Sequence, residues 1–178
     1  MSGRENNYIF FDNKSILSNY KDCNIKIKLS NYPIENIEGL EDEVNFSSAE
    51  QAYQYLKAVT FRDKEAAIKI LKSVDKIEMN NLGKKVLHFN KNLWDKINEY
   101  IMEIVIFNKL SQNKYILDFT QSKIKENIDV IFINAIPFDN IWGIGYKAED
   151  AMEFRKTWGN NLLGKIITKV SKDLLGRI

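Results

Sequence analysis

The chain has 178 residues, with 26 Lys and Arg against 24 Asp and Glu and a net charge of +2, and this combination predicts one soluble globular domain. The near balance of charge argues against a strongly basic nucleic-acid clamp. Cys23 and His88 are the single residues of their types, which excludes an intramolecular disulfide and a cysteine-based zinc cage and disfavours multi-histidine metal sites and Ser-His-Asp catalysis. Any catalysis is therefore expected to use carboxylates.

The distribution of apolar residues, prolines and glycines indicates the cellular compartment and the number of domains. No run of about 18 apolar residues occurs, so no membrane-spanning segment is expected, and residues 1–7 lack the apolar stretch of a signal peptide. Together with the single cysteine, this predicts a cytoplasmic protein, or a nuclear one in a eukaryote. Two prolines and no Gly/Ser-rich linker predict a single domain over residues 1–178, with its core at about 8–172.

The first third of the chain predicts two strands followed by a helix. Residues 8–11 are apolar and aromatic, and residues 25–29 alternate with period two, as a half-buried strand does. Residues 31–45 are acidic and rich in turn formers, which predicts a surface loop. Ser47 and Glu50 then match a capping box, in which each side chain satisfies a backbone amide. We expect this helix to continue to about Val59.

Helical spacing dominates the middle of the chain. A helix is predicted after Asp63, with apolar residues on one face at Ala66, Ala67, Ile70, Leu71 and Val74. A short helix over residues 76–82 should end at Gly83. A longer helix over 93–110 should bury one stripe composed of Trp94, Ile97, Ile101, Ile104 and Val105.

The last third mixes short helices, one strand and an irregular loop. Residues 114–119 predict a helical turn or two, and the β-branched run 129–133 predicts a strand. Residues 137–147 have no apolar period and predict a loop around Trp142. An amphipathic helix capped by Asn160 and Asn161 should end the fold. The predicted architecture is mainly α with a few short β-strands.

Polar residues on the first helix are candidate site residues. Glu50, Gln54 and Lys57 recur at i, i+4 and i+7, which places them on one helix face. Glu50 has two compatible interpretations, a cap and a catalytic carboxylate. A helix N-terminus favours the ionised carboxylate, so Glu50 is expected to be an anion at neutral pH and to act as a base or stabilise positive charge. Lys57 could equally be a solvated or salt-bridged lysine, and His88 a loop or packing residue.

The loop around Trp142 leaves further alternatives open. Trp142 could be a core plug or a platform for a base or ribosyl group. Gly143 to Gly145 permits a tight turn, but no βαβ unit surrounds it, so it is not a dinucleotide fingerprint. The helix start at Asn161 could offer backbone amides to a phosphate or could be an ordinary N-cap.

Several dispersed blocks resemble the NADAR family, also called YbiA-like. The blocks are Ser18-Asn19-Tyr20, Ser48-Ala49-Glu50 through Lys57-Ala58, Trp94, Asp139 through Gly145, and Asn161-Leu162-Leu163-Gly164. The resemblance covers about residues 9–170. It implies a mostly helical fold and an enzyme that hydrolyses ribosyl C1–N bonds without a metal or another cofactor.

The resemblance also implies a choice of substrates. Family activities divide between removal of ADP-ribose from guanine in nucleic acid and hydrolysis of phosphoribosylamino-pyrimidine intermediates of riboflavin synthesis. We expect the first for this chain, with the second as the alternative. A module that binds ADP-ribose or NAD-like ligands without cleaving them is a third hypothesis. The expected partners are an ADP-ribosyl or phosphoribosyl substrate, with ADP-ribosylated DNA or RNA among them, and neither a membrane nor an obligate protein.

By the same resemblance, individual residues receive roles. Glu50 and Asp139 are the catalytic candidates, since an oxocarbenium-like transition state needs a carboxylate near C1. The substrate-binding candidates are Ser18, Asn19, Tyr53, Lys57, Trp94, Trp142, Gly143 and Asn161. Lys14 is an alternative nucleophile, through a Schiff base with the opened ribose. One departure concerns Asn134, which stands where family members often carry Glu, and this difference bears on the rate or on the identity of the substrate.

Overall fold

The computed structural model describes residues 7–176 and confirms a mainly α fold with a few short strands. Residues 1–6 of the N-terminal segment discussed above lie outside the described residues. No helix in the described range is long and apolar enough to cross a membrane. In chain order the elements are β1 (Tyr8–Phe11), β2 (Ile25–Lys28), β3 (Glu43–Phe46), α1 (Ala49–Thr60), α2 (Lys64–Lys72), α3 (Lys76–Lys84), α4 (Lys91–Gln112), α5 (Lys114–Glu126), β4 (Ile131–Asn134), α6 (Ala148–Ala151) and α7 (Leu162–Leu175).

The chain forms two compact units, and the family-like blocks fall in both. The central unit is Asp22–Asn113, and the terminal unit combines the chain up to Lys21 with the chain from Lys114 onward. Each unit has its own buried apolar residues.

An antiparallel pair in the central unit is formed by β2 and β3, with Ile25 opposite Phe46. The strand β3 corrects the prediction of a loop over residues 31–45. Val44 and Phe46 are buried while Glu43 and Asn45 are exposed, which is the alternation of a half-buried strand. The alternation extends over only four residues, and it was therefore not distinguished from the acidic, turn-rich segment that precedes it.

Helix α1 lies at the centre of this unit and packs against α2, α3 and α4. Its buried residues include Tyr55 and Leu56, and burying each such side chain contributes about 1.5–3 kcal/mol. The predicted capping box was wrong. The N-cap is Ser48, whose hydroxyl accepts from Gln51 N at 3.2 Å, and Gln51 Oε1 in turn accepts from Ser47 N at 2.8 Å. The capping pair therefore lies one residue later, and Glu50 takes no part in it.

The remaining central helices have polar caps but different ends from those predicted. Asp63 caps α2 by accepting from Ala66 N at 2.9 Å. Val74 does not belong to the apolar face, because α2 ends at Lys72 and Val74 is 92% exposed. Gly83 does not end α3 but lies inside it. The long helix α4 begins after Asn90 and buries Trp94 and, further along, most residues from Ile101 to Leu110, whereas Ile97 is only half-buried.

In the terminal unit, the parallel pair β1 and β4 places Tyr8 beside Ile131 and Phe11 beside Asn134. Helix α7 packs on β4 and on α5. Thr168 on α7 accepts from Phe132 N at 3.0 Å, which ties this helix to the strand. A Cβ at Gly164 would overlap Phe132 O, so the close approach of α7 to β4 requires glycine.

Asn161 precedes α7 but does not cap it as predicted. Its φ is +51°, in the left-handed region, and its side chain makes no capping hydrogen bond. Instead its Oδ1 accepts from Asn134 N at 2.9 Å and its Nδ2 donates to Phe132 O at 3.0 Å. The side-chain amide thus continues the backbone pairing of β4, and this stabilises the unusual backbone conformation.

Candidate functional site

A buried carboxyl group lies on the first turn of α1. Glu50 is 6% exposed, and its Oε1 accepts two hydrogen bonds, from Gln54 Nε2 at 2.8 Å and from Asn80 Nδ2 at 3.1 Å. Gln54 lies one turn further along α1, whereas Asn80 comes from α3. Oε2 accepts no hydrogen bond from residues 7–176. One carboxyl oxygen is therefore fixed by two side-chain amides.

Burial sets the protonation behaviour of this group. Desolvation raises the pKa of Glu50 above its ordinary value, while the amides of Gln54 and Asn80 and the charge of Lys84 lower it to a lesser extent. The prediction that the helix N-terminus controls Glu50 was wrong, because its side chain accepts from side-chain amides and not from the amides of the first turn. A carboxylate with a raised pKa is a stronger base than an exposed glutamate.

An aromatic cluster and one cation complete this part of the central unit. The ring centroids of Tyr53 and Trp94 are 5.4 Å apart, and those of Phe61 and Trp94 are 5.9 Å apart. Lys57 Nζ lies 4.5 Å from the centroid of Phe89 and 5.5 Å from that of Trp94. Its pKa is lowered by burial. Lys57 is thus packed over aromatic faces, an environment that differs from that of a fully solvated lysine.

Tyr53 is coupled electrostatically to the carboxyl group. Burial, and to a smaller extent the negative charge of Glu50, raise the pKa of the Tyr53 phenol. Tyr53 is 7% exposed and therefore keeps its hydroxyl proton at physiological pH. It can donate a hydrogen bond but cannot serve as a base.

In the terminal unit, Asp139 orders the loop that carries Trp142. Asp139 Oδ1 accepts from Ile141 N at 3.1 Å and from Trp142 N at 2.9 Å, an Asx-type turn. Both Asp139 and Trp142 are half-buried. A Cβ at Gly143 would lie 2.8 Å from Asn134 O, so glycine is needed where the loop crosses the end of β4.

Asn134 has a structural role in the same loop. It is 5% exposed, and its Nδ2 donates to Trp142 O at 3.2 Å. A glutamate carboxylate has no proton to donate to that carbonyl. Asn134, which replaces the glutamate common in the family, therefore makes a hydrogen bond that an ionised glutamate could not make.

The start of α7 is not available to an anion as predicted. Three consecutive amides donate to carbonyls of the Trp142 loop: Asn161 N to Gly143 O at 3.0 Å, Leu162 N to Ile141 O at 3.1 Å, and Leu163 N to Trp142 O at 3.1 Å. These donors are already satisfied. The helix start fixes the loop, and the predicted phosphate site at Asn161 is wrong in that form.

The Ser18-Asn19 block is a tight turn with both residues buried, at 3% and 8% exposure. Ser18 Oγ accepts from Tyr20 N at 3.1 Å, so the hydroxyl has a local structural partner. Nothing in these contacts tests a ligand-binding role, and that role stays a prediction.

A cavity of about 440 Å³ opens in the terminal unit at the carboxyl ends of β1 and β4. Its lining includes Lys14, Ser15 and Lys147, with the carboxylates of Asp12 and Glu149. Sequence analysis selected Lys14 but not Lys147 or the cavity. Their positions after two predicted strands could have indicated the cavity, because residues that follow parallel strands meet at one edge of the sheet.

The predicted site residues are divided between the units. Glu50, Tyr53, Lys57 and Trp94 belong to the central unit, and Ser18, Asn19, Asp139, Trp142, Gly143 and Asn161 to the terminal unit. The sequence prediction missed Asn80 and Lys84 on α3, since sequence position does not show which helix packs beside Glu50. Over residues 7–176, no three His, Cys, Asp or Glu side chains are grouped as a metal site.

Comparisons with known proteins agree with the resemblance. The family model described as "NADAR domain" matches residues 7–175. "Protein irg-1" of Caenorhabditis elegans is 29% identical over 179 residues, covering 95% of this chain and 80% of that protein. "N-glycosidase R617" of Acanthamoeba polyphaga mimivirus is 30% identical over 170 residues, covering 93% and 95%. The NMR structure of Escherichia coli YbiA has a TM-score of 0.68 at 16% identity, covering 96% of this chain and 86% of that one, and shows a shared fold.

Proposed function

Since the chain belongs to the NADAR family, we propose that it is an N-glycosidase that removes ADP-ribose from guanine in nucleic acid. The observation that carries the chemistry is Glu50, a buried carboxyl group with one oxygen held by two amides. The relative named N-glycosidase, 30% identical over nearly the whole chain, supports the same class of reaction.

In the proposed reaction, water attacks ribose C1 while the C1–N bond to the base breaks. The bonding electron pair leaves with the base nitrogen, and positive charge develops on the ribose. Glu50 in its carboxylate form stabilises that charge and accepts the proton of the attacking water through Oε2. Its raised pKa makes it a better base, and the amides of Gln54 and Asn80 keep its other oxygen in place.

The remaining roles concern binding. Asp139 is proposed to hold the ribose through Oδ2, because Oδ1 is engaged with the loop amides. Tyr53 is proposed to shape the surroundings of Glu50 within the central unit. Within the terminal unit, Ser18 and Asn19 are proposed to contact ribosyl or phosphate groups, and Trp142 to stack on a base or ribosyl group. Lys57 remains the proposed cation of the central unit for a phosphate, whereas Asn161 and Gly143 are proposed to act by holding the Trp142 loop.

Lys14 supports a second mechanism for the same reaction. It lines the 440 Å³ cavity, which has the size of a small-molecule site. In this alternative its amine attacks C1 of the ring-opened ribose, which is joined to the base nitrogen by a C=N bond, and expels the base as its amine to form a lysine Schiff base. Water then hydrolyses this Schiff base, which releases ADP-ribose and restores the free lysine amine. Borohydride reduction during turnover would trap a covalent ADP-ribosyl protein, and Lys14→Arg would prevent the trapping.

The preference for nucleic acid rests on Phe138, beside Asp139. Phe138 is 94% exposed and has a φ of +66°, a left-handed conformation that costs a non-glycine residue about 1–2 kcal/mol. An exposed aromatic face can stack on a base next to the modified guanine.

The proposal is tested by incubating the protein with guanine-ADP-ribosylated DNA and, separately, with a phosphoribosylamino-pyrimidine. Free ADP-ribose and ribose 5-phosphate are measured by mass spectrometry. We expect ADP-ribose from the first substrate only. Ribose 5-phosphate from the second would assign the protein to metabolite hydrolysis, and return of both substrates intact despite binding would identify a non-hydrolytic module.

A further inference from the structure

Gly83 lies on α3 against the side chain of Gln54. It is buried, and a Cβ added at this position would overlap Gln54 Oε1 and crowd the rest of that amide. Asn80, which donates to Glu50 at 3.1 Å, precedes Gly83 by three residues and therefore lies on the same helix face. One face of α3 thus contacts both Glu50 and the residue that holds Glu50.

The orientation of the Gln54 amide follows from its two neighbours. Its Nε2 donates to Glu50 Oε1 at 2.8 Å, and since a carboxylate only accepts, the amide must present its nitrogen there. Its oxygen then points towards Gly83. Gln54 Oε1 is buried and has no hydrogen-bond donor among residues 7–176. The Cα–H group of a glycine is a weak donor that fits such a position, whereas any side chain would displace the amide.

We infer that Gly83 is a positioning residue for Glu50, because the space beside it lets Gln54 hold the carboxyl group. This inference rests on the proposed function only for its effect on catalysis. Gly83 does not touch Glu50 and acts through Gln54, while Asn80 contacts Oε1 directly. In this arrangement α3 determines which oxygen of Glu50 is held and which is left for the reaction.

The inference also predicts how Glu50 titrates. The charge of Lys84 on α3 lowers the pKa of Glu50, and the charge of Glu50 in turn raises the pKa of Tyr53 on α1. Hydrogen bonds from Gln54 and Asn80 favour the carboxylate. If a side chain at position 83 displaces Gln54, the titration midpoint of Glu50 should move to higher pH.

The test compares Gly83→Ala, Gln54→Ala and the double variant with the parent protein. Gly176→Ala is the matched control, because a Cβ there meets only ordinary contacts at 3.8 Å. Two readouts are used: kcat/KM on guanine-ADP-ribosylated DNA, and the titration of the Glu50 side-chain carboxyl by ¹³C NMR, assigned with Glu50→Gln. The second needs no activity, so a failure of the proposed function and a failure of this inference are distinguishable.

We expect Gly83→Ala to lower kcat/KM about tenfold or more, equivalent to about 1.4 kcal/mol in activation free energy, and to raise the Glu50 titration midpoint. Adding Gly83→Ala to Gln54→Ala should change either readout less than about twofold, because the amide that the methyl group displaces is gone. Independent, additive effects would overturn the inference. If Gly83→Ala does not fold, recovery of folding in the double variant is the expected result, and failure of both would also overturn it.

Discussion

Glu50 shows how the environment of one residue can differ from its local sequence pattern. The pattern correctly places it at the start of a helix, where the dipole favours an anion. Its pKa is raised instead, because the side chain is buried and bonded to amides of Gln54 and Asn80. Burial and a partner 30 residues away depend on how helices pack, which a local pattern does not contain.

The raised pKa predicts how Glu50→Gln changes stability with pH. A carboxyl group whose pKa is higher in the folded than in the unfolded protein gives its full stabilisation below the unfolded pKa and loses it as pH rises through the folded pKa. The neutral amide has no such loss. We therefore expect the Tm of Glu50→Gln, relative to the Tm of the parent protein at the same pH, to increase as pH rises from 4 to 8.

Thermal unfolding over that pH range checks this prediction. Glu99→Gln, an exposed position on α4, is the control and should follow the parent protein. If the Tm of Glu50→Gln relative to the parent protein instead fell with rising pH, the folded protein would be lowering the pKa of Glu50.

Phe138 is the residue that we propose to stack on a neighbouring base of a nucleic-acid strand. Removing the exposed ring should leave the fold intact, since it is 94% exposed. We expect Phe138→Ala to lower kcat/KM about tenfold on a guanine-ADP-ribosylated oligonucleotide, because base–aromatic stacking contributes about 1–3 kcal/mol. Hydrolysis of ADP-ribosylated guanosine should be unchanged.

Steady-state kinetics on both substrates test this role, with Ile141→Ala, another exposed apolar change in the same loop, as the control. Equal losses of kcat/KM on the oligonucleotide and on the nucleoside would show that Phe138 supports the loop and does not contact a nucleic-acid strand.

Among the secondary-structure elements, the period of apolar residues in the sequence predicted most of the helices, but several of their predicted ends and caps differ from the structure. The apolar stripes of α2 and α4 were predicted from spacing, whereas Gly83 was read as a helix end because glycine commonly ends helices. In the structure Gly83 is the second-to-last residue of α3, and the side chain of Gln54 occupies the space beside it. An isolated glycine within a helical pattern can therefore indicate close packing as well as a terminus.

Asn161 joins the start of α7 to β4, and removing its side chain should lower the stability of the fold. Its side chain makes two buried hydrogen bonds, to Asn134 N and Phe132 O, and its backbone is left-handed. We expect Asn161→Ala to lower the free energy of unfolding by about 2–4 kcal/mol, from two lost hydrogen bonds and a conformation that alanine disfavours.

Denaturant unfolding measures this change, and Asn160→Ala is the matched control because Asn160 is exposed. The control should lie within about 0.5 kcal/mol of the parent protein. A loss below about 1 kcal/mol for Asn161→Ala would show that its two hydrogen bonds to β4 contribute little to stability.

At the scale of the whole molecule, the predicted mainly α fold and the family are both confirmed. Dispersed blocks such as Asp139 to Gly145 could be recognised from sequence because their residue types and order are specific. The contacts of Asn80 with Glu50 and of Asn161 with β4 could not, since each joins residues far apart in the chain. The same limit concealed the cavity beside Lys14 and Lys147.

We propose that Glu50 drives hydrolysis of a ribosyl C1–N bond, and this role is measured by single-turnover release of ADP-ribose from a guanine-ADP-ribosylated oligonucleotide. The parent protein, Glu50→Gln and the control Glu99→Gln are compared at saturating protein concentration, so that weaker binding does not limit the rate. We predict that Glu99→Gln matches the parent protein and that Glu50→Gln loses at least about 100-fold, the usual contribution of a general base. Release by Glu50→Gln at the parental rate would contradict the account.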